Sequence, residues 1–314
     1  MISKSEMEYS VYFVIPSMIF VFGLFGNILG LVVLKCKKLK KIGPVYIYRF
    51  LFITDTVYLL SILKTNVEVL YNVDLLVTSY LWCKFFTYCL NAVASIPPML
   101  LVYISIERFL SIKHIEKSHF LKNKNSQYAY FVCVVCFNFV FYFPVLIIYD
   151  LNETPVQYNN MTIIEKMCTF ADSGNILFGM IFTNRIFLPF LLMFTATVLL
   201  IHTIFRSRTR IQSNYTFREN LRFRKDVKFA FTSITINIMF IILNLPFILV
   251  YFLFKFEMIM LVLTLNLFLI SYAINFYLIL ISNFLFRKEF FLLFVSKKYR
   301  FYYEAANQNQ TTMV

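Results

Sequence analysis

Seven stretches of the chain are almost wholly apolar, and short polar segments separate them. Each is long enough to cross the hydrocarbon core of a bilayer as a helix, which takes about 20 residues. None alternates apolar and polar positions as a membrane-barrel strand does, and a helix satisfies its own backbone groups in lipid. We therefore predict seven membrane-spanning helices, at about residues 10–34, 45–70, 81–112, 128–149, 176–205, 227–254 and 257–284.

The composition agrees with this pattern. Of the 314 residues, 60% are hydrophobic and only 15% are charged, against about 25% charged in a soluble domain. This excludes a soluble enzyme, a disordered chain and a nucleic-acid-binding domain, so no nucleic acid is expected as a partner. Six cysteines, six glycines and three histidines leave little material for a disulfide scaffold, a phosphate loop or a metal cluster, and no cofactor is expected. We divide the chain into a short N-terminus (1–9), a membrane domain (10–284) and a tail (285–314).

The charges indicate a direction across the membrane. Twenty-four of the 30 lysine and arginine residues fall on the side that carries the segments after the first, third, fifth and seventh stretches. Loops rich in these residues stay in the cytoplasm. The sequence thus predicts a multi-pass protein of the plasma membrane with its N-terminus outside the cell.

Four Asn-x-Thr triplets test this direction. Asn152 and Asn160 lie between the fourth and fifth stretches, on the predicted outer side, and we expect them to carry sugar. Asn214 and Asn309 match the same triplet on the predicted cytoplasmic side, where they should stay bare.

Polar and proline residues recur inside the apolar stretches in a distinctive order. Ionisable groups within a membrane are costly and usually functional. The set comprises Gly26-Asn27, Asp55, Cys83, Glu107-Arg108-Phe109, Pro144, Pro189, Pro246 and Asn275-Phe276-Tyr277. This ordered set resembles the rhodopsin-like G-protein-coupled receptors, and the resemblance covers nearly the whole chain.

The resemblance implies an all-α membrane protein, a seven-transmembrane-helix bundle with an amphipathic eighth helix and an extracellular N-terminus. It implies no enzymatic activity and a heterotrimeric G protein as partner. The segment 287–298 mixes basic and aromatic residues, which suits a helix that lies on anionic membrane lipids. The chain ends in Thr312, Met313 and Val314, an ending that can add a strand to a PDZ domain.

Three polar residues form the expected centre of the bundle. In the family, Asn27, Asp55 and Asn275 hold water and often sodium, although Asn27 and Asp55 could instead only satisfy each other. Pro97 stands where the family usually has Ser, which argues against sodium at Asp55. Pro97 and Pro98 also lack backbone donors, so we expect a kink in the third span.

The resemblance also assigns an activation switch and a disulfide. Arg108 would be held by Glu107 and by Asp226 at the foot of the sixth span. The alternative is a surface ion pair, worth about 0–1 kcal/mol. Breaking the pair would let the sixth span move and open a cleft for the G protein. Cys83 and Cys168 would form the bond that holds the second outer loop over the pocket, the alternative being two free thiols.

The sequence departs from the family at several positions. Phe276 and Ile279 replace the Pro and Tyr of the usual Asn-Pro-x-x-Tyr, and Asn244 stands where Trp-x-Pro is usual. The Asn-Leu-Pro and Asn-Phe pairs are similar to those of invertebrate receptors for short amidated peptides of the FMRFamide-like kind.

The chemical class of the ligand is constrained mainly by residues that are absent from the predicted pocket. Amine receptors carry Asp where this chain has Leu90, and visual pigments carry Lys where it has Leu269, so both ligand classes are disfavoured. Nine acids on the predicted outer side give a weak preference for a basic ligand. An arginine inside a span must snorkel, pair or face a cavity. The candidate ligand-binding residues are Glu68, Asn91, Asn184, Arg185 and Asn244, with a local pair between Lys64 and Glu68 as the alternative for Glu68.

Three functions remain open at this stage. The first is a receptor for a short neuropeptide, and the second is a chemosensory receptor for a small external molecule. The third is a channel, transporter or intramembrane hydrolase. Against the third, the chain has no internal repeat, no His-Glu-x-x-His and no Gly-x-Ser-x-Gly.

Overall fold

The computed structural model describes ten segments of the chain, and together they form a helical bundle. They are residues 10–36, 39, 43–71, 73–113, 120–158, 161–170, 179–180, 182–214, 217–253 and 258–294. The helices are α1 Ile15–Val33, α2 Val45–Leu59, α3 Ser61–Tyr71, α4 Tyr80–Ala94, α5 Ile96–Lys113, α6 Lys124–Phe141, α7 Val145–Ile148, α8 Leu188–Asn214, α9 Phe217–Leu253, α10 Met258–Ala273, α11 Asn275–Ser282 and α12 Phe284–Phe294. π-helical turns precede α1 (Ser10–Val14) and α8 (Phe182–Phe187), and a 3-10 turn covers Leu75–Thr78.

These helices build the membrane spans that the hydropathy pattern predicts. Six helical segments are long and apolar enough to cross a membrane, and a bent pair makes a seventh. The spans are Ser10–Val33, Val45–Tyr71, Tyr80–Lys113, Lys124–Ile148, Phe182–Arg206, Val227–Phe247 and the pair Val262–Ala273 with Asn275–Ser282. Large apolar side chains point outward, for example Leu81, Val140 and Ile281, which are 71–76% exposed. An outward apolar surface is what lipid requires and what water would penalise.

Side-chain caps fix where several helices begin. The Ser79 hydroxyl accepts from Trp82 N at 3.1 Å and starts α4. Asn123 accepts from Asn125 N at the start of α6, and Asn283 accepts from Leu285 N and Phe286 N at the start of α12. Such caps satisfy backbone donors that the first turn of a helix leaves open.

The prolines of the spans affect their helices in different ways. The helix of the third span is interrupted at Ser95, directly before Ile96-Pro97-Pro98, at the place where a kink is expected. Pro144 lies between α6 and α7, and Pro189 lies in the first turn of α8. Pro246 does not interrupt the sixth span, because α9 continues through it.

The seventh span bends by 52° between α10 and α11. Phe276 occupies the position where the family usually has proline, so the bend needs another cause. The Asn27 amide donates to the Tyr272 carbonyl at 3.4 Å, and the Asn275 amide donates to Asp55 at 2.8 Å. Side-chain bonds that enter a helix ladder are a recognised source of kinks.

Close packing draws the first span against its neighbours. A Cβ at Gly23 would lie 2.8 Å from Ala273 Cβ, and a Cβ at Gly30 would overlap the Phe52 ring. Only glycine permits this approach of α1 to α2 and α10.

A two-stranded hairpin lies between the fourth and fifth spans. Strands β1 (Tyr149–Tyr158) and β2 (Met161–Phe170) pair antiparallel, with Tyr149 opposite Phe170 and Leu151 opposite Cys168. The sequence did not predict it, and it adds a small sheet to an otherwise helical fold. We call the end of the bundle that carries this sheet the hairpin end, and the opposite end the Arg108 end.

The last helix begins directly after the seventh span, as expected for the eighth helix. In α12, Phe286 and Leu292 are buried against the bundle, whereas Phe291 and Phe294 are 58% and 70% exposed. This two-sided pattern is typical of a helix at a membrane surface.

Candidate ligand and switch sites

Glu107 and Arg108 meet at the Arg108 end of the third span. Arg108 Nε lies 2.6 Å from Glu107 Oε2, and both side chains are almost fully buried, at 2% and 0% exposure. Ser111 Oγ donates to Glu107 Oε1 at 2.8 Å, and Lys122 Nζ lies 3.9 Å from the same oxygen. The burial is incompatible with the alternative of a surface ion pair, because screening by water is absent.

The outer nitrogens of Arg108 face an apolar recess. Nη1 and Nη2 are buried and have no hydrogen-bond partner among the described residues. The guanidinium carbon lies 5.3 Å from the centre of the Phe229 ring. Gly43 adopts φ +65°, and a Cβ there would overlap the guanidinium. Glycine is therefore required at this point of the first loop for Arg108 to lie where it does.

The predicted second partner of Arg108 is only partly described. Asp226 lies in α9, three residues before Phe229, but its side chain lies outside the described residues. The Arg108–Asp226 contact thus stays a prediction.

A polar network that sequence reasoning missed joins the third, fifth and sixth spans. Ser105 Oγ donates to Asn237 Oδ1 at 3.1 Å, and Asn237 Nδ2 donates to Thr197 Oγ1 at 2.8 Å. Ser105 lies one turn before Arg108 in the same helix. A polar residue in each of three apolar spans was the available signal, but the sequence alone did not indicate that they share a depth.

The polar centre is built from the residues that the resemblance named. Asn275 Nδ2 donates to Asp55 Oδ2 at 2.8 Å, and Asn27 reaches the Tyr272 carbonyl instead of Asp55. Asn27 Oδ1 and Asp55 Oδ1 are buried without a partner among the described residues. Two open acceptor oxygens suit a water molecule, but Pro97 supplies no side-chain oxygen, so the donor set does not favour sodium.

Arg185 is the central charged group of the hairpin end. It is 9% exposed and lies in the π-turn before α8. Nη2 donates to the Tyr58 hydroxyl at 2.6 Å, and Nε donates to the Tyr272 hydroxyl at 3.2 Å. The guanidinium carbon lies 3.9 Å from the centre of the Phe268 ring. We call Tyr58, Phe268 and Tyr272, together with Arg185, the arginine cage.

The kink in the third span helps to build this cage. Pro98 has no N–H to donate to the Ala94 carbonyl one turn earlier, so that carbonyl is left for another donor. The Tyr272 hydroxyl donates to it at 2.8 Å. The same hydroxyl can then accept from Arg185.

A cavity of about 290 Å³ lies beneath the hairpin. Its wall includes Ser61, Leu90 and Asn91, which lie about one turn from Tyr58 and Ala94 in their helices. The hairpin contributes Tyr149 and Cys168. Burial raises the pKa of the Tyr149 phenol, so this group lines the cavity in its neutral form.

The other candidate ligand-binding residues differ in whether their polar atoms already have hydrogen-bond partners. Asn184 donates to Asn138 at 2.8 Å and Asn244 to the Phe240 carbonyl at 2.7 Å, and both keep a buried Oδ1 with no partner in the described part of the chain. Asn91 donates to the Thr87 carbonyl. Glu68 binds Lys64 at 2.8 Å and the Leu75 amide at 2.9 Å, contacts that favour the local pair over a ligand role.

The predicted disulfide is confirmed. Cys83 and Cys168 are bonded, which ties the third span to β2 and holds the hairpin over the cavity. Asn152 is exposed on β1 and donates to the Thr169 hydroxyl at 2.9 Å. Asn160 and the terminal Thr312, Met313 and Val314 lie outside the described residues.

The comparison with known families decides the identity. A sequence model for "7 transmembrane receptor (rhodopsin family)" matches residues 26–283, which is most of the chain. The chain belongs to the rhodopsin family of seven-transmembrane receptors. This rhodopsin-family protein is a receptor in a membrane and not an enzyme. No curated protein matches the chain significantly.

Proposed function

We propose that this receptor binds a short neuropeptide at its hairpin end, outside the cell, and activates a heterotrimeric G protein at its Arg108 end. The observation that carries the proposal is the pairing of a disulfide-covered cavity at one end with a buried Glu107–Arg108 pair at the other. The excess of lysine and arginine on the Arg108 side supports a cytoplasmic location for that end.

The switch would work as a two-state element. In the state described, Arg108 is held by Glu107 and enclosed by Gly43 and Phe229. A ligand that prefers a second arrangement of the fifth and sixth spans would shift the population towards it. The Ser105–Asn237–Thr197 network lies between these spans and the third, so it would have to rearrange. Arg108 would then become available to the G protein.

A peptide is supported by the amide chemistry of two candidate ligand-binding residues, which are buried in the bundle and do not line the cavity. The open oxygens of Asn184 and Asn244 are acceptors for the N–H groups of a peptide or of a C-terminal amide. The Asn-Leu-Pro and Asn-Phe pairs support a ligand of the FMRFamide-like kind. A small external molecule is the second candidate, because a cavity of about 290 Å³ matches the lower end of small-molecule sites.

The test is G-protein activation in cells that express the receptor. A library of short amidated peptides and a small-molecule set are applied to the wild type, to Arg108→Ala and to Lys113→Ala as a matched control. We expect a peptide response that Arg108→Ala abolishes and Lys113→Ala keeps, at equal surface expression. A response to small molecules alone would establish the second candidate. Silence towards both sets, despite surface expression, would contradict the proposed function.

Several partner contacts accompany this proposal. We propose sugar on Asn152 and Asn160, contact of α12 with anionic lipids, and a PDZ partner for Thr312, Met313 and Val314. Peptide glycosidase treatment, lipid-vesicle binding and deletion of the last three residues test them separately.

A further inference from the structure

We propose that Arg185 binds an anionic group of the ligand, a carboxylate, which enters from the cavity beneath the hairpin. The inference deepens the proposed function, on which it rests, by assigning the charge of the ligand. It reverses the weak preference for a basic ligand that the outer acids suggest.

The first step is the charge of the arginine cage. Two of the three guanidinium nitrogens donate to phenol hydroxyls, and the surrounding groups are aromatic rings. No carboxylate among the described residues lies within 4.0 Å of Arg185. Phenols and ring faces stabilise a cation in part, but they leave a full positive charge in a site removed from water.

The second step is the donor that remains. Nη1 makes no hydrogen bond to any described residue, although Nε and Nη2 each make one. A guanidinium presents its donors in a planar fork that matches a carboxylate. Nη1 is thus a charged donor without a partner among the described residues, on a side chain that its other two bonds hold in place.

The third step is the route. The cavity wall includes Leu90 and Asn91, and Leu90 also packs against the cluster that contains Tyr58 and Tyr272. Leu90 therefore belongs both to the cavity wall and to the packing around the cluster that includes three cage residues, Tyr58, Phe268 and Tyr272. The other cation at the cavity, Lys64, is already neutralised by Glu68 at 2.8 Å. Arg185, by contrast, has no carboxylate within 4.0 Å among the described residues.

The experiment measures thermal unfolding of the purified full-length receptor in detergent and needs no G protein. One arm uses phenylacetate against phenylacetamide, as a small acid and its neutral isostere. The other arm uses N-acetylaspartate amide against N-acetylasparagine amide, as an acidic side chain of an amidated peptide. A ligand that binds only the folded state raises Tm in proportion to its occupancy.

We expect each acid to raise Tm by about 2 to 4 °C more than its amide at saturating concentration. A response in only one arm identifies the source of the carboxylate and supports the inference. Equal shifts for acid and amide in both arms would overturn it. Activation by peptides in the cell assay, together with equal Tm shifts for acid and amide, would support the proposed function and contradict the inference about Arg185.

Variants locate the acid. Arg185→Gln should lose the excess shift of the acid, whereas Lys64→Gln, at the cavity wall, should keep it. The reverse result would assign the acid to Lys64 and overturn the inference. If Arg185→Gln does not fold, Arg185→Lys takes its place, because it keeps the charge and loses the fork. An excess shift reduced at least twofold in Arg185→Lys supports the inference, and an unchanged one contradicts it.

Discussion

The receptor buries one arginine near each end, and the two are neutralised in different ways. Arg108 contacts the Glu107 carboxylate at 2.6 Å, and its remaining nitrogens lie in an apolar recess. Arg185 contacts two phenols and the Phe268 ring, with no described carboxylate within 4.0 Å. The charge is the same and the burial is similar, but within the described part of the chain only Arg108 has a counterion.

This difference separates a closed site from an open one. A buried cation with its own carboxylate is neutral as a pair, so a further charged group gains little by approaching it. A buried cation held only by dipoles and ring faces still favours an anion. The Glu107–Arg108 pair thus has no need of a further anion until the helices move. Arg185, at the hairpin end, can still bind an anionic group.

The largest test of this contrast removes the counterion. Glu107→Gln removes the one carboxylate that contacts Arg108 among the described residues, so we expect the free energy of unfolding to fall by about 3–5 kcal/mol. Ligand-independent G-protein activation should rise, because the resting arrangement is weakened. Thermal unfolding in detergent and basal signalling in cells measure the two effects. Lys122→Gln, which removes a more distant contact, is the control, and equal losses in both variants would contradict the contrast.

The next test removes a dipole from the arginine cage. Tyr272→Phe keeps the ring but loses the hydroxyl that accepts from Arg185 and donates to Ala94. Hydrogen bonds to charged groups contribute about 1.5–3 kcal/mol, and we expect a loss in that range. Tyr277→Phe removes a hydroxyl whose one partner in the described part of the chain is the Phe22 carbonyl, and it should cost about 1 kcal/mol or less. If thermal unfolding shows equal losses of stability in the two variants, the Tyr272 hydroxyl does not stabilise Arg185.

A third test crowds Arg108 without changing any charge. Gly43→Ala places a Cβ at φ +65° where it overlaps the guanidinium. The backbone cost alone is about 1–2 kcal/mol, and displacement of Arg108 adds to it. Gly179→Ala is the matched control, since a Cβ there meets nothing within 4 Å. A melting temperature that falls for Gly43→Ala but not for Gly179→Ala would support the requirement for glycine beside Arg108. An unchanged melting temperature in Gly43→Ala would contradict it.

The smallest expected effect concerns the network between the two ends. Asn237→Leu removes the bonds to Ser105 and Thr197, and we expect a loss of about 1 kcal/mol together with a change in basal signalling. Thr235→Val, whose hydroxyl bonds to the Phe231 carbonyl in its own helix and to no other described residue, should change neither. Basal activity identical in both variants would show that the network has no part in coupling the ends.

Much of the architecture could be predicted because lipid constrains it strongly. The spans follow from apolar runs, and the kink at Ser95 follows from Pro97 and Pro98. The hairpin was missed, since its residues carry no clear alternation. The bend near Ile274 was missed because no proline marks it, and the amide bonds of Asn27 and Asn275 beside it join different spans.

The site was predicted in part. Arg185 stood out because a charge inside a span is rare. Its partners did not, because the chain contains 21 tyrosines and 39 phenylalanines, and one more aromatic residue in a span carries no signal. Asn237 was missed for a related reason, since an amide in a span becomes notable only when its partners are known.

The sequence by itself determined the class of protein, the number of spans and the residues that bear charge within them. These follow from local hydropathy, since each span must satisfy its backbone within itself. Only the tertiary structure decided which buried arginine has a counterion. Glu107 is the sequence neighbour of Arg108, but Tyr58 and Arg185 are 127 residues apart, and their contact depends on how three spans pack. Electrostatic compensation inside a bundle is a property of contacts between helices, which no single stretch of sequence contains.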